Sequence, residues 1–242
     1  ADPEVAGDSG EPEALLSALS TGPVGLGDRV GRSDPALARR TCRADGILIK
    51  PDVPIAATDE SMVGSAAFRN ELLVAECFTD HPAGRWAYVV GLHANPGDEP
   101  VTGTIAFDGL GASAPTGDVV VWDWQAGTAT RLGPDATWPV TLPREGWAYL
   151  VLAPVLPSGL AVIGDTSKFV SAGDARLEVA ATTTGARFVV KGAGETVSVT
   201  GWAETAPVAD GLSVEHDPTT GLWTIPVPVP ERGWATVAVD AG

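Results

Sequence analysis

Cysteine is nearly absent from this chain of 242 residues, which holds only Cys42 and Cys77. Two thiols build no disulfide framework, and their spacing fits no zinc pattern, so they decide nothing about compartment. Histidine is almost as scarce. His81, His93 and His216 stand far apart and read as surface or loop residues, not ligands. No apolar run approaches the roughly 20 residues that cross a bilayer, so no membrane span is expected. Positive charge is the third deficit: 15 Lys and Arg face 31 Asp and Glu, a net charge of −16. A phosphate backbone or anionic surface would be repelled by every face lacking a basic cluster, which excludes nucleic acid as a partner. The one basic concentration, Arg39, Arg40 and Arg43, suits the negative end of a helix better than a ligand. No cofactor or metal is expected. Loop aspartates such as Asp98 or Asp108 would suit Ca²⁺ in so acidic a protein, but their spacing repeats no established calcium loop.

What the chain has in quantity is material for β-structure. The hydrophobic fraction is 44%, with eight Trp and abundant Val, Ala and Thr, ample for a packed core. Residues 1–11 are rich in Gly, Pro, Asp and Glu and read as a disordered or vector-derived start. The opening Ala1-Asp2-Pro3 looks like the scar of a removed secretion leader, and no signal peptide is visible; this favours an extracellular or lumenal origin. Residues 12–20 then read as a short helix with Leu15, Leu16 and Leu19 on one side.

The stretch 19–59 differs from everything after it. Residues 22–28, GPVGLGD, and 46–50, GILIK, are short apolar runs of the kind that make buried parallel strands. Between them Asp34 is a good helix N-cap, Pro35 suits the first helical position, and Gly46 is a stop. The expected unit is βαβ, too small to stand alone, so the rest of a larger assembly is expected in cis or in trans. Ligands of βαβ architectures lie at the carboxyl ends of the strands, here Asp28 and Arg29 after the first and Lys50 and Asp52 after the second. Asp28 and Asp52 equally suit caps of loops or helices.

From residue 61 onward the period changes to strands separated by turns. About seven strands are expected in 61–155, at 71–79, 86–94, 101–107, 119–124, 128–132, 140–142 and 147–152, linked by Gly, Pro, Asn and Asp as turns require. That is enough for an antiparallel β-sandwich. A second series in 156–242, at 159–163, 168–170, 175–181, 187–190, 196–200, 212–215, 223–227 and 234–239, either extends the sandwich or forms a second module. The expected fold is therefore mainly β: one or more antiparallel β-sandwiches behind a short α/β segment at 12–60.

Gly22, Pro23, Asp28 and Gly31, followed after a helix by Asp45, Gly46, Ile47 and Leu48, resemble the end of the catalytic (β/α)8 barrel in raffinose synthases. They resemble, more distantly, the α-galactosidase clan. Far downstream, Lys168, Phe169, Ser171 and Gly173 are similar to the "KF-N/S" turn and glycine of the raffinose-synthase tail. The first match covers only about a sixth of the chain. The resemblance implies a barrel end packed on a C-terminal β-sandwich, in an enzyme acting on α-galactosides by hydrolysis or transfer. It places the catalytic carboxylate pair on barrel strands four and six, which are not represented here, so the chain alone is expected to be inert. It puts Asp28, Arg29, Lys50 and Asp52 at the rim of the sugar site, lining or bracing it. The run from Trp202 to Gly242 exceeds the family pattern and reads as an additional pair of hairpin strands.

Trp86, Trp122 and Trp124 invite a sugar-stacking reading, since an exposed indole offers an apolar platform to a pyranose. Trp122 and Trp124 also share one face of a strand, the pattern of a sandwich core. Two other functions fit the composition. One is a carbohydrate-binding or adhesion module in which the sandwich itself holds the glycan. The other is a structural or docking protein presenting Leu15, Leu19, Val24 and Ile47 to another polypeptide.

Overall fold

The computed structural model describes residues 10–25, 33–66, 72–93, 98–231 and 233–242. Helix α1 (Glu11–Leu19) follows Gly10, whose φ of 63° is the left-handed conformation glycine tolerates. Glu11 and Glu13 lie at its positive end, and Leu15, Ala18 and Leu19 form the buried stripe at i, i+3 and i+4. Helix α2 (Pro35–Arg39) starts as expected. The Asp34 side chain accepts a hydrogen bond from the Ala36 N–H at 2.8 Å, with Pro35 in the first turn.

The segment after α2 departs from the expected βαβ unit. Ile49 donates its N–H to Thr41 and Arg43 donates to the Ile47 carbonyl, both at 2.9 Å, and Cys42 and Leu48 form an antiparallel bridge. Residues 46–50 thus turn back on the exit of α2 instead of joining a parallel sheet. Gly46 opens the loop at φ 83°, its N–H donating to the Arg43 carbonyl at 3.0 Å. Gly22–Gly25 are not strand, and the rest of the first expected strand, with Asp28 and Arg29, lies outside the described residues.

Two short elements come next, β1 (Ala56–Ala57) and α3 (Asp59–Ala66). The first sandwich is then built from β2 (Leu73–His81), β3 (Gly84–Leu92), β4 (Val101–Ala106), β5 (Val119–Asp123), β6 (Thr128–Leu132), β7 (Thr137–Leu142) and β8 (Trp147–Pro154). One sheet runs β1-β2-β3-β8-β5-β6, and β4 pairs with β7. Val89, Val121, Leu150 and Leu152 of the larger sheet share a core with Ile105, Phe107, Val140 and Leu142. Trp86, Tyr88, Val90, Val120, Tyr149 and Val151 alternate with them and belong to a second, larger core with Leu15, Leu19, Ile49 and Phe169. Burial on both faces is the reason these strands read as unbroken apolar runs rather than as alternating ones.

The remaining strands are β9 (Ala161–Gly164), β10 (Leu177–Ala181), β11 (Gly185–Gly192), β12 (Thr196–Trp202), β13 (Val208–Ala209), β14 (Glu215–His216), β15 (Leu222–Pro228) and β16 (Gly233–Asp240). They form two four-stranded sheets, β10-β11-β16-β13 and β14-β15-β12-β9. Phe188, Val190, Val237 and Val239 from the first and Val199, Trp223, Ile225 and Val227 from the second join the same core as α1. All pairings among the described strands are antiparallel. The C-terminal run is not an added hairpin pair: β15 pairs with β12 and β16 with β11, so each completes a different sheet. Residues 168–170, expected as a strand, are a turn.

Candidate functional site

The two stretches that carry the family resemblance meet in space. Phe169 donates its N–H to the carbonyl of Arg40 at 3.0 Å, and Lys168 Nζ donates to the carbonyl of Arg39 at 2.7 Å across 129 positions of chain. Gly173 fits beneath Ile49 and Lys50: a Cβ there would stand 2.7 Å from Ile49 Cγ2 and 2.9 Å from the Lys50 oxygen. Only glycine admits that approach without movement of a neighbour.

Charge fastens the same junction. Arg176, 1% exposed, lies with Nε 3.1 Å from Asp165 Oδ2 and donates from Nη1 to Glu195 Oε1 at 2.8 Å. Its Nη1 also donates to the Lys191 carbonyl, while Asp165 accepts from the Ser167 backbone and hydroxyl. Burial raises the Glu195 pKa, but the hydrogen bond and charge of Arg176 outweigh it and hold the carboxyl below its ordinary value. Arg43 extends the network to the 41–49 loop, pairing with Asp45 and donating from Nη1 to the Ala175 carbonyl at 3.0 Å.

Above the junction is an aromatic group built around Trp124. Its ring lies 5.3 Å from Phe169, 6.2 Å from Trp147 and 6.3 Å from Tyr149, with the Arg40 guanidinium 4.9 Å from its centroid. Arg40 is in turn ion-paired with Glu11. The Tyr149 hydroxyl donates to the Phe169 carbonyl at 2.5 Å. These contacts brace the 168–170 turn against the six-stranded sheet. The sequence reading missed Arg40 and Phe169 as partners of Trp124, because only the tertiary fold brings them together.

The expected rim residues are not gathered by the described structure. Asp28 and Arg29 lie outside the described residues. Lys50 is half-buried, and its Nζ donates to the Thr21 carbonyl at 2.9 Å. Asp52 is exposed and acts as a clamp on β2: its N–H donates to the Phe78 carbonyl at 2.9 Å, and its Oδ2 accepts from the Asp80 N–H at 2.8 Å. Each of the two therefore supports a neighbouring backbone, and Asp52 holds strand β2 instead of capping a loop or helix.

Of the three candidate stacking indoles, Trp86 must be corrected. It is wholly buried, its Nε1 donates to the Val162 carbonyl at 2.7 Å, and it ties β3 to β9 instead of offering a face to solvent. Trp122 and Trp124 are half-buried against the larger core, on the same side of the sheet, the packing that their spacing also allowed. The docking face is likewise reduced. Leu15 and Leu19 are fully buried within the chain, whereas Ile47 remains 48% exposed. Among the described residues no cluster of three His, Cys, Asp or Glu side chains is placed to hold a metal ion.

Comparison with known proteins adds little. No protein-family model and no curated protein matches the chain. Among solved structures, a protein of Bacillus halodurans C-125 described as a candidate α-N-acetylgalactosaminidase is 16% identical over 36% of this chain, with a TM-score of 0.29. The isomalto-dextranase of Arthrobacter globiformis T6, complexed with panose, is 15% identical over 96% of it, with a TM-score of 0.36. The chain spans 18% and 43% of the length of these two proteins. Both neighbours are glycoside hydrolases, and both likenesses are weak.

Proposed function

We propose that this chain is the non-catalytic C-terminal region of a glycoside hydrolase or galactosyl transferase acting on α-galactosides. In this reading it supports the catalytic barrel and the wall of its sugar site. The observation that carries the reading is the junction of the two resembling stretches. The downstream match packs on the segment beside the upstream one: Phe169 and Lys168 bind the backbone at Arg39 and Arg40, and Gly173 seats Ile49 and Lys50, the kind of contact a C-terminal sandwich packed on the end of a barrel requires. The role that follows is mechanical. The sandwiches hold the 34–50 segment, a helix and a folded-back loop on which the barrel supplied by the rest of the protein rests. Lys50 and Asp52 then act as braces of the rim.

Activity provides the test. Native material containing this sequence is expected to release an aryl group from an aryl α-galactoside or to transfer galactose to a second sugar. Depletion with an antibody raised against residues 156–242 should remove that activity. Activity that survives complete depletion would overturn the proposal.

A further inference from the structure

Seven of the eight Trp are buried or half-buried; Trp234 alone stands out, 63% exposed on β16. It belongs to the outer face of the β10-β11-β16-β13 sheet. Along β16 that face carries Trp234, Thr236, Ala238 and Asp240; opposite them in register are Lys191, Val189 and Arg187 of β11. Single exposed apolar side chains are common and need no function. This one differs in its surroundings. Among the described residues no ring packs on it and no cation lies over it. Lys191, opposite it in register, is drawn the other way: its Nζ donates to the Asp174 carbonyl at 2.8 Å and lies 3.6 Å and 3.7 Å from the carboxylates of Asp174 and Glu178. The small Thr236 leaves the indole standing clear.

The chemistry of this face selects among ligands. Trp234 is one large aromatic ring beside a hydroxyl and charged groups, and the other exposed large apolar side chain of the sheet, Val208, lies opposite Asp240 at the far end of β16, so the face lacks the contiguous apolar core of a protein interface. An anionic polymer would meet a protein of net charge −16. A hexopyranose fits: its axial C–H face lies flat on an indole, and its rim of hydroxyls needs the donors and acceptors that Thr236 and Glu178 present. Arg187 supplies a further donor fork. Its guanidinium makes no ion pair or hydrogen bond among the described residues, and it lies four positions from Lys191 along β11, roughly 13 Å by strand rise, room for more than one sugar ring.

We infer that the outer face of the β10-β11-β16-β13 sheet is a binding site for a neutral oligosaccharide, with one pyranose stacked on Trp234 and the chain running toward Arg187. This inference does not rest on the proposed parent enzyme, since it concerns a surface formed wholly by β10, β11, β13 and β16.

Affinity electrophoresis in gels containing galactomannan, dextran or xylan tests it. The protein should be retarded in at least one gel, W234A should bind about tenfold more weakly or worse, and W234Y, which keeps a ring, should retain much of the retardation. W234T, a strand former, serves as a second truncation should W234A melt early. R187A should weaken binding less than W234A. No retardation in any of the three gels, or retardation of W234A and W234T equal to that of the unsubstituted protein, would overturn the inference. So would a dimer in sedimentation velocity that W234A dissociates, which would assign Trp234 to a second copy of the chain.

Discussion

Phe169 N–H and the carbonyl of Arg40 lie 3.0 Å apart, a main-chain bond between two stretches that are remote in sequence. Around it the Trp124 ring, the Arg40 guanidinium and the buried Arg176 network lock the 34–50 segment to the sandwiches.

Gly173→Ala should loosen the junction. The new methyl would meet Ile49 Cγ2, the Lys50 oxygen and Val170 Cγ1, all within 2.9 Å. Relief requires movement of backbone as well as side chain, with an expected cost of about 1–3 kcal/mol. Urea unfolding of the variant, followed by tryptophan fluorescence, reads this as a lower midpoint at unchanged slope.

Arg176→Met should be more severe, because it leaves the carboxylates of Asp165 and Glu195 near the core without their cation. Breaking a buried pair in this way costs about 3–5 kcal/mol. The pH dependence should change with it. Glu195 has a depressed pKa in the fold, so its contribution is present above its unfolded value and is lost as pH falls through the folded one. Thermal melts between pH 7 and pH 3 should show that acid loss in the parent and less of it in R176M.

His81 has the opposite chemistry. Burial lowers its pKa below 6.5, outweighing the Ala172 hydrogen bond and the carboxylates of Asp174, Asp52 and Glu178, which raise it. The unfolded chain then binds the proton more readily than the fold, so His81 costs nothing above about pH 6.5 and destabilises increasingly below it. H81Q, whose amide can still donate toward the Ala172 carbonyl, should flatten the melting temperature between pH 6.5 and pH 5. An unchanged pH profile would show that His81 is not the group responsible.

Trp86→Phe should cost about 1–3 kcal/mol by removing the indole donor from the buried Val162 carbonyl. Calorimetry should show the loss, with far-ultraviolet circular dichroism unchanged.

The two thiols should be unequal. Both are free, Cys42 half-buried and Cys77 fully buried, with the Cys77 pKa raised by burial and then by Glu76. A thiol reagent should label one site in the native protein and two in urea. Prompt labelling of both under native conditions would contradict the packing of β2.

The sandwiches were legible because their signals are local. Each of the seven strands expected in 61–155 is present with its ends shifted by a few residues, since turn residues and apolar runs mark them on the chain. Asp34 and Pro35 marked the start of α2 for the same reason. Strand partners are not local. Residues 46–50 had the composition of a buried parallel strand, but their hydrogen bonds go to Thr41 and Arg43, a choice made by tertiary packing. The 168–170 stretch failed similarly: Phe169 is apolar because it packs under Trp124, not because it sits in a sheet. Helix α3 was missed although Thr58 caps it through Ser61 and acidic Asp59 and Glu60 fill its first turn, a capping signal visible in the residues themselves. At the candidate site, period two placed Trp122 and Trp124 on one face but could not tell the core side from the solvent side. Trp234, with the same period, is on the solvent side.

The most direct test of the central claim is the intact mass of the native protein that carries this sequence, measured by native mass spectrometry on material from its source. The account predicts a species much heavier than the 24.7 kDa of this chain, either as one polypeptide or as a tight complex with a barrel-bearing chain. A native species of 24.7 kDa with no companion would contradict it and leave glycan binding by the second sandwich as the function to pursue.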